Sequence, residues 1–223
     1  MIDTGPLWLT LKLAILTTLI LFFISIPLAN WLSQKKNLAK TIAEVVVSMP
    51  LVLPPSVIGF YLLVAFSPSG GLGSLLNTWL GIKLVFSFGG LLVASIIYSL
   101  PFMVHSIQSG LAALPETLRE AAYTLGKSRW QTLVKVLLPN IRSSLLTGIV
   151  LTFAHTVGEF GVVLMIGGNI PGKTRVASVA IYDEVEALNY HGANIYALIL
   201  LVVSFGILFS LYYFNRRQQL RVL

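Results

Sequence analysis

A glycine-rich octapeptide at residues 167–174 has the letters of a phosphate-binding loop. Its sequence, GGNIPGKT, satisfies the pattern G-x-x-x-x-G-K-T, in which backbone N–H groups and a lysine hold the phosphates of a nucleotide. That chemistry needs a strand before the loop, a helix after it and an acidic metal ligand on another strand. Long apolar runs precede and follow the octapeptide, so its context contradicts nucleotide binding. We predict a turn between two membrane segments instead.

Glu159 and His155 are the candidates for proton chemistry, and they lie one helical turn apart within an apolar run, beside Thr156. A carboxylate at membrane depth is costly and normally faces a cavity or a partner, so Glu159 has a functional or a structural polar role. Because an ionised carboxylate would repel an anion in a pore, we favour a structural or gating role. We expect a hydrogen bond from Glu159 to His155 or to a neighbouring subunit. The flanking Gly158 and Gly161 would let another backbone approach closely.

Three prolines interrupt the second apolar run of the chain. Pro50, Pro54 and Pro55 cannot all fit in a straight helix, because proline lacks an N–H donor and its ring meets the preceding turn. Broken backbone at membrane depth is tolerated where protein or a water-filled cavity satisfies the freed groups. Two interpretations stay open: a packing kink, and a break that aims free N–H groups and the Ser56 hydroxyl at an anion.

Long apolar helices must position these residues, and the composition of the chain is consistent with such helices. Hydrophobic residues make up 56% and charged residues 10% of the 223 residues, and the mean hydropathy is +0.87. Such a chain is solvated by lipid, and five apolar runs reach the roughly 20 residues that span a bilayer. We therefore expect an all-α membrane protein with about five transmembrane helices in one domain, residues 1–223. The runs are residues 7–32, 42–66, 84–104, 144–166 and 194–214.

The basic residues predict the orientation of these spans, because Lys and Arg concentrate in cytoplasmic loops. The loops after the first and third runs and the carboxyl tail hold Lys35, Lys36, Lys40, Arg119, Lys127, Arg129, Lys135, Arg142, Arg216, Arg217 and Arg221, whereas the opposite side holds Lys83, Lys173 and Arg175. The amino end is therefore expected outside and the carboxyl end in the cytoplasm. The net charge of +7 is dispersed between apolar runs, so we expect no nucleic-acid partner.

Other catalytic chemistry has little support in the residues. The chain has no cysteine, and its three histidines lie far apart in sequence, which argues against thiolate or histidine metal sites. We find no paired carboxylates and no nucleophile with an adjacent base. We therefore expect neither an enzyme nor a chain that binds its own cofactor or metal.

The segment at residues 114–139 is the only long polar stretch, and it predicts two short helices. Gly126 should end the first helix, since glycine takes the left-handed conformation without steric cost. Ser128 and Gln131 form a capping box that starts the second helix, and Pro139 should end it. The apolar stripes comprise Leu118, Ala121, Ala122 and Leu125 in the first helix and Trp130, Leu133, Val134, Leu137 and Leu138 in the second. Periodicity alone also allows an amphipathic linker that rests on the lipid surface.

Spacing within this hairpin resembles the EAA loop of permease subunits of bacterial ATP-binding-cassette importers. Glu120, Ala121 and Ala122 are followed after three residues by Gly126 and, after nine more, by VLLP at residues 136–139, where the pattern usually begins with isoleucine. The resemblance implies a type I importer permease fold whose cytoplasmic loop, residues 105–143, is a coupling-helix hairpin. It would dock on an ATPase subunit through Glu120, Ala121, Ala122, Gly126, Arg129, Trp130 and Pro139.

Four further segments resemble the molybdate permeases among these importers. They are PLVLPP at 50–55, YLLV at 61–64, GEFG at 158–161 and NIPGKTR at 169–175. Sulfate and thiosulfate permeases share the last two signatures, and tungstate also stays open. The resemblance implies a homodimer in the bacterial inner membrane and an external oxyanion-binding protein. Two cytoplasmic ATPase subunits would bind ATP and magnesium, and the chain itself would bind no cofactor.

A transport function would assign roles to the residues introduced above. The translocation path or gate would comprise Pro54, Pro55, Ser56, Thr156, Gly158, Glu159 and Gly161, with the Ser56 and Thr156 hydroxyls holding the anion weakly enough for release. The outer turn would meet the incoming ligand or its carrier protein through Lys173 and Arg175. The competing class is a proton-coupled carrier or a channel, with Glu159 and His155 as the relay.

Overall fold

A computed structural model describes residues 3–35 and 37–219, and every regular element within those ranges is helical. In chain order the elements are α1 (Gly5–Leu32), α2 (Leu38–Val52), α3 (Pro55–Phe66), α4 (Gly71–Leu80), α5 (Phe88–Ala112), α6 (Glu116–Thr124), α7 (Arg129–Thr132), a π-helical turn (Leu133–Leu137), α8 (Leu138–Asn140), α9 (Arg142–Gly158), α10 (Gly161–Gly167), α11 (Ala177–Glu186) and α12 (Tyr190–Gln219). The all-α prediction is confirmed. Of the basic residues used to orient the chain, Lys36 and Arg221 lie outside the described residues, as do the side chains of Arg216 and Arg217.

Helices α1, α5 and α12 are each long and apolar enough to cross a membrane. Two further candidates are bent pairs. Helices α2 and α3 meet at 113°, and the α7–α8 segment meets α9 at 82°. The described part of the chain therefore offers three straight spans, or up to five if each bent pair counts as one, which agrees with the expected number.

The second span breaks as predicted, and the break lies at Leu53 and Pro54. Both residues are extended, with ψ values of 137° and 140°, because each precedes a proline, which disfavours the helical region. Pro50 remains inside α2, so only the paired prolines interrupt the helix.

The third and fourth spans differ from the predicted ones. Helix α5 begins later than expected, where the Ser87 hydroxyl accepts the Gly90 N–H, and it continues to Ala112. Residues 105–112, which the prediction assigned to the 105–143 loop, therefore belong to the last two turns of this candidate membrane helix. The fourth run is not one helix either, because Glu159 and Phe160 separate α9 from α10.

Helices α1, α5 and α9 pack against one another and form the centre of the fold. Small residues allow the close approach: a Cβ on Gly110 of α5 would lie 2.5 Å from the Ser144 hydroxyl of α9. One apolar cluster fills the half of the fold next to the polar hairpin and includes Leu21, Leu32, Met103, Ile107, Leu133, Leu137 and Ile141. The other fills the half away from the hairpin and includes Leu13, Ile58, Phe66, Leu91, Val162, Ile166 and Val176.

A layer of buried hydroxyl groups separates the two apolar clusters along the helices. It consists of Thr17 on α1, Ser95 and Ser99 on α5, and Thr152 and Thr156 on α9. Within this layer Ser95 and Ser99 form hydrogen bonds to Glu159, His155 and Thr156, whereas the hydroxyls of Thr17 and Thr152 have no hydrogen-bond partner among the described residues.

Candidate functional site

A cavity of about 570 Å³ lies where the first turn of α3 meets the junction of α9 and α10. Its walls are Pro55, Ser56, Tyr98, Ala154, His155, Gly158, Glu159, Phe160 and Gly161. Ser56 is exposed on the first turn of α3, so its hydroxyl faces accessible space. No lysine or arginine is among the described residues of these walls, and Glu159 and His155 are their titratable members besides Tyr98.

The two helix breaks touch each other at this cavity. Gly161 packs on Pro55 so closely that an added Cβ would lie 2.8 Å from the proline Cβ. One turn further along α3, a Cβ on Gly59 would lie 2.7 Å from the Cβ of Met165 on α10. The structure thus brings together the predicted path residues Pro54, Pro55 and Ser56 with Gly158, Glu159 and Gly161, about a hundred positions along the chain.

Glu159 connects three elements, and its carboxyl group is turned into the protein. The side chain is 4% exposed, and its Oε2 accepts a hydrogen bond of 2.8 Å from the Ser95 hydroxyl of α5. Its backbone carbonyl accepts a second bond, of 2.6 Å, from the Ser178 hydroxyl of α11. Because Glu159 has extended backbone between two helices, these bonds fix the direction of the junction.

The expected hydrogen bond between Glu159 and His155 is not formed. The His155 ring bonds instead to the Ser99 hydroxyl, with 2.9 Å between Nδ1 and Oγ, and packs between Tyr98 and Phe102. The chain leaves the helix directly after Gly158, so the one-turn spacing that would pair the two side chains no longer applies. His155 and Glu159 therefore have separate partners on α5, four residues apart.

Thr156 is buried and does not line the cavity. Its hydroxyl donates to the Thr152 carbonyl at 2.9 Å and lies 3.1 Å from the Ser99 hydroxyl. In this conformation Thr156 contacts protein on both sides, so a role in holding an anion stays a prediction.

Ser95, Ser99 and Ser178 were missed by the sequence interpretation. Ser95 and Ser99 are spaced i and i+4 in an otherwise apolar helix, which places both hydroxyls on one face and could have indicated a polar partner there. Ser178 offers no comparable local signal.

The turn of the polar hairpin has the predicted geometry. Gly126 takes the left-handed conformation with φ of +74°, and the N–H groups of Gly126 and Lys127 bond back to the carbonyls of Tyr123 and Ala122. Ser128 and Gln131 then form both bonds of a capping box, at 3.2 and 3.1 Å. The first helix begins at Glu116, and Pro115 is the residue that precedes it as its cap.

Pro139 does not end the second helix of the hairpin, contrary to the prediction. The preceding turn is π-helical, and the Leu138 N–H bonds to the Leu133 carbonyl five residues earlier. This wider turn gives the proline ring the room that an α-helical turn would deny it. The chain remains helical to Asn140 and bends at Ile141.

The apolar stripes of the hairpin divide between a buried and an exposed side. Ala122, Leu133 and Leu137 are buried, and Leu118 packs on the apolar cluster next to the hairpin. Leu125 and Trp130 are 78% and 62% exposed, and Ala121, Tyr123 and Val134 are exposed with them. Glu120, Gly126, Arg129 and Pro139 share this exposure, whereas Ala122 supports the turn from inside. A hairpin that leaves these side chains uncovered presents a surface that a partner could bury.

The turn at residues 167–175 is held in shape by hydrogen bonds of the Thr174 side chain. The Thr174 hydroxyl donates to the Gly167 carbonyl at 2.7 Å and accepts the Ile170 N–H at 3.1 Å. Arg175 forms an ion pair of 2.8 Å with Asp183 of α11, while Lys173 is exposed. No strand occurs in residues 3–35 and 37–219, so the context that a phosphate-binding loop needs is missing from the described chain.

A helical chain with broken spans around a cavity and a polar hairpin outside the apolar region defines a membrane transport subunit. Residues 22–220 match the protein family described as "Binding-protein-dependent transport system inner membrane component". The chain belongs to this family and is the permease subunit of an ATP-binding-cassette importer.

The relatives and a solved structure agree with that assignment. The Molybdenum transport system permease protein ModB of Azotobacter vinelandii is 48% identical over 211 residues, which cover 94% of this chain and 93% of the relative. A probable sulfate transport system permease protein, cysT, of Zygnema circumcarinatum is 39% identical over 204 residues, which cover 92% and 70%. The fold matches a crystal structure of a bacterial transporter that imports the polysaccharide alginate, with a TM-score of 0.77 at 19% identity over 96% of this chain and 78% of that one.

Proposed function

We propose that this permease carries molybdate into the cell, driven by ATP hydrolysis on separate ATPase subunits. The observation that carries the proposal is the nearly end-to-end similarity to the molybdenum permease of Azotobacter vinelandii, at 48% identity. Similarity to the sulfate permease of Zygnema circumcarinatum is lower, at 39%, and leaves a larger part of that protein unmatched. Sulfate, thiosulfate and tungstate are the alternative anions.

The cavity beside α3 is the proposed passage for the anion. The hydroxyl and the backbone N–H of Ser56 would donate hydrogen bonds to oxyanion oxygens. The next two N–H groups of α3, those of Val57 and Ile58, already bond to the Pro54 carbonyl. Neutral donors suit a passage, because a site must release what it binds. The Glu159 carboxyl bonds to Ser95 and its side chain is almost completely buried, so it would not contact the anion directly.

The exposed hairpin is the proposed contact with the ATPase, which would bind ATP and magnesium. Glu120, Ala121, Gly126, Arg129, Trp130 and Pro139 would form this contact. Ala122, which is buried, would support it. The hairpin joins α5 to α9, so a displacement of the hairpin would move both helices. Helix α9 carries His155 and ends next to Glu159, and α5 carries the serines that bond to these two residues. Alternating access would follow when the ATPases close and pull two such hairpins together.

Two copies of this chain would line one path in the inner membrane, with the amino end outside and the hairpin in the cytoplasm. Three exposed apolar side chains on α2, Val45, Met49 and Val52, are available for lipid or a second copy. An external oxyanion-binding protein would dock on the outer turn. Lys173 is free to take part, whereas Arg175 would first have to leave its ion pair with Asp183.

Reconstitution would test the substrate and the energy source together. We expect ATP hydrolysis and anion uptake in vesicles to rise severalfold when the binding protein carries molybdate, and less when it carries sulfate. The measurement needs the permease, the ATPase and the binding protein, with tungstate as a further ligand. Uptake that runs on a proton gradient without the ATPase would support the competing carrier instead. The separate hydrogen-bond partners of His155 and Glu159 argue against a relay between them.

The Ser56→Ala and Thr156→Ala variants would separate a path residue from a packing residue. Loss of one hydrogen bond to the anion is worth about 1 kcal/mol, so Ser56→Ala should lower uptake about fivefold with unchanged thermal stability. Thr156→Ala should lower the melting temperature of the purified chain, because it leaves Ser99 with one partner fewer. Uptake equal to that of the parent chain in both variants would remove both residues from the anion path.

A further inference from the structure

Helix α4 turns its apolar side away from the protein. Gly73 faces inward and meets the Ser67 carbonyl so closely that no Cβ would fit there. On the other side of the helix Leu72 and Leu75 are more than half exposed, and Trp79 is 81% exposed; Leu80, the last residue of the helix, is 65% exposed. A surface helix in water exposes its polar side, whereas α4 exposes its apolar side. The exposed side of α4 therefore needs an apolar neighbour.

A cavity of about 580 Å³ lies behind this helix, between α3, α4 and the segment that leads into α5. The apolar side chains in its wall are Leu63, Val64, Phe66, Leu84, Val85 and Phe86, and the polar ones include Ser67, Asn77 and Lys83. The volume falls within the range of about 300–1,000 Å³ that is typical of small-molecule pockets. The wall is therefore mainly apolar and also contains hydroxyl, amide and ammonium groups.

The position and charge of this region indicate what the neighbour is. Helix α4 connects the end of the bent α2–α3 span to the start of the α5 span, which places it at a membrane–water boundary. Residues 67–88 contain no aspartate or glutamate, and Lys83 is their only charged residue. Tryptophan and lysine are the residues that anchor protein at this boundary, where lysine meets lipid phosphates.

We propose that α4 and this cavity form a phospholipid-binding site. The outward side of α4 lies among acyl chains, one acyl chain enters the cavity, and Lys83 pairs with the headgroup phosphate. Helix α3 separates Ser56 from Phe66, at the end of the helix next to this cavity, by about 15 Å, so the site is distinct from the proposed anion path. With the proposed orientation of the chain, the bound phospholipid belongs to the outer leaflet. The binding site itself does not depend on that orientation.

Fluorescence quenching would test the site in the full-length chain, in vesicles whose phospholipids carry bromine near the glycerol end of the acyl chains. In a variant that retains Trp79 and replaces the other three tryptophans with phenylalanine, we expect bromine to remove about half of the emission, as for an interfacial tryptophan. The matched control retains only Trp130, on the exposed hairpin, and should keep its emission. Quenching of Trp79 no stronger than that of Trp130 would overturn the proposal, whether or not the protein transports molybdate.

Retained lipid gives an independent measurement of the cavity. Leu63→Trp should fill the cavity, and mass spectrometry of the purified chain should show one phospholipid fewer than in the control Leu201→Trp, at an exposed position of α12. Lys83→Gln should lower the preference for phosphatidylglycerol over phosphatidylethanolamine among the retained lipids. Equal retention in both tryptophan variants would contradict the acyl-chain site. Because the chain has no cysteine, a disulfide between two Leu75→Cys copies would show that a second copy covers α4 instead, and would equally overturn the proposal.

Discussion

Glu120→Lys should abolish most ATP-driven molybdate uptake while the permease still inserts and folds. Glu120 is exposed on α6 and faces no described ion-pair partner, so reversing its charge costs the isolated chain little. In the assembly, the reversed charge would replace an attractive contact with a repulsive one at the ATPase surface. A loss of about 2 kcal/mol or more at such an interface corresponds to about a thirtyfold loss of affinity. Uptake in vesicles and co-purification of the ATPase measure the two consequences.

Lys135→Glu is the matched control for this charge reversal. Lys135 is also exposed in the hairpin and also changes the charge by two, but it lies outside the set assigned to the docking surface. It should leave co-purification of the ATPase close to that of the parent chain. If both variants bind and drive the ATPase normally, the hairpin is not the coupling element. If both fail to the same degree, the loop tolerates no charge reversal at either position, and the effect is not specific to a contact at Glu120.

The hairpin was predictable because its signals are local. Gly126 alone specifies a left-handed residue, and Ser128 with Gln131 specifies a helix start, whatever the rest of the fold does. The same holds for the break at Pro54, since two consecutive prolines force extended backbone on the residues before them. Spans could be counted for a similar reason, because bilayer thickness sets the length of an apolar run.

The hydrogen bonds inside the site could not be predicted from short stretches of the sequence. Which hydroxyl meets Glu159 follows from the rotation of α5 against α9, and that rotation is set by packing along both helices. Sequence spacing favoured His155 as the partner only under the assumption of a continuous helix, which ends at Gly158. Pro139 was misjudged in the same way: the π-helical turn before it removes the clash on which the helix-ending rule depends.

Glu159→Ala should strongly impair transport, because it removes the hydrogen bond between the α9–α10 junction and α5. It would leave the Ser95 hydroxyl buried without its acceptor, at a cost of about 1–3 kcal/mol, and would add an empty space at the junction of α9 and α10. That junction forms the wall of the proposed passage, so we expect more than a tenfold loss of uptake, together with ATP hydrolysis that no longer responds to the loaded binding protein. The melting temperature of the purified chain and the response of ATP hydrolysis to molybdate would be measured together.

Glu159→Gln separates the hydrogen bond from the charge, because its amide oxygen can still accept from Ser95 while the side chain stays neutral. If Glu159 positions the junction, this variant should retain most of the stability and most of the response to molybdate, and Ser95→Ala should resemble Glu159→Ala. Because the two groups act through one bond, the double Ser95→Ala, Glu159→Ala variant should then be hardly worse than Glu159→Ala alone. Failure of Glu159→Gln with a normal melting temperature would point to the carboxylate itself, either as a proton carrier or as a charge that shapes the passage. A fully additive double variant would show that the bond to Ser95 does not carry the effect.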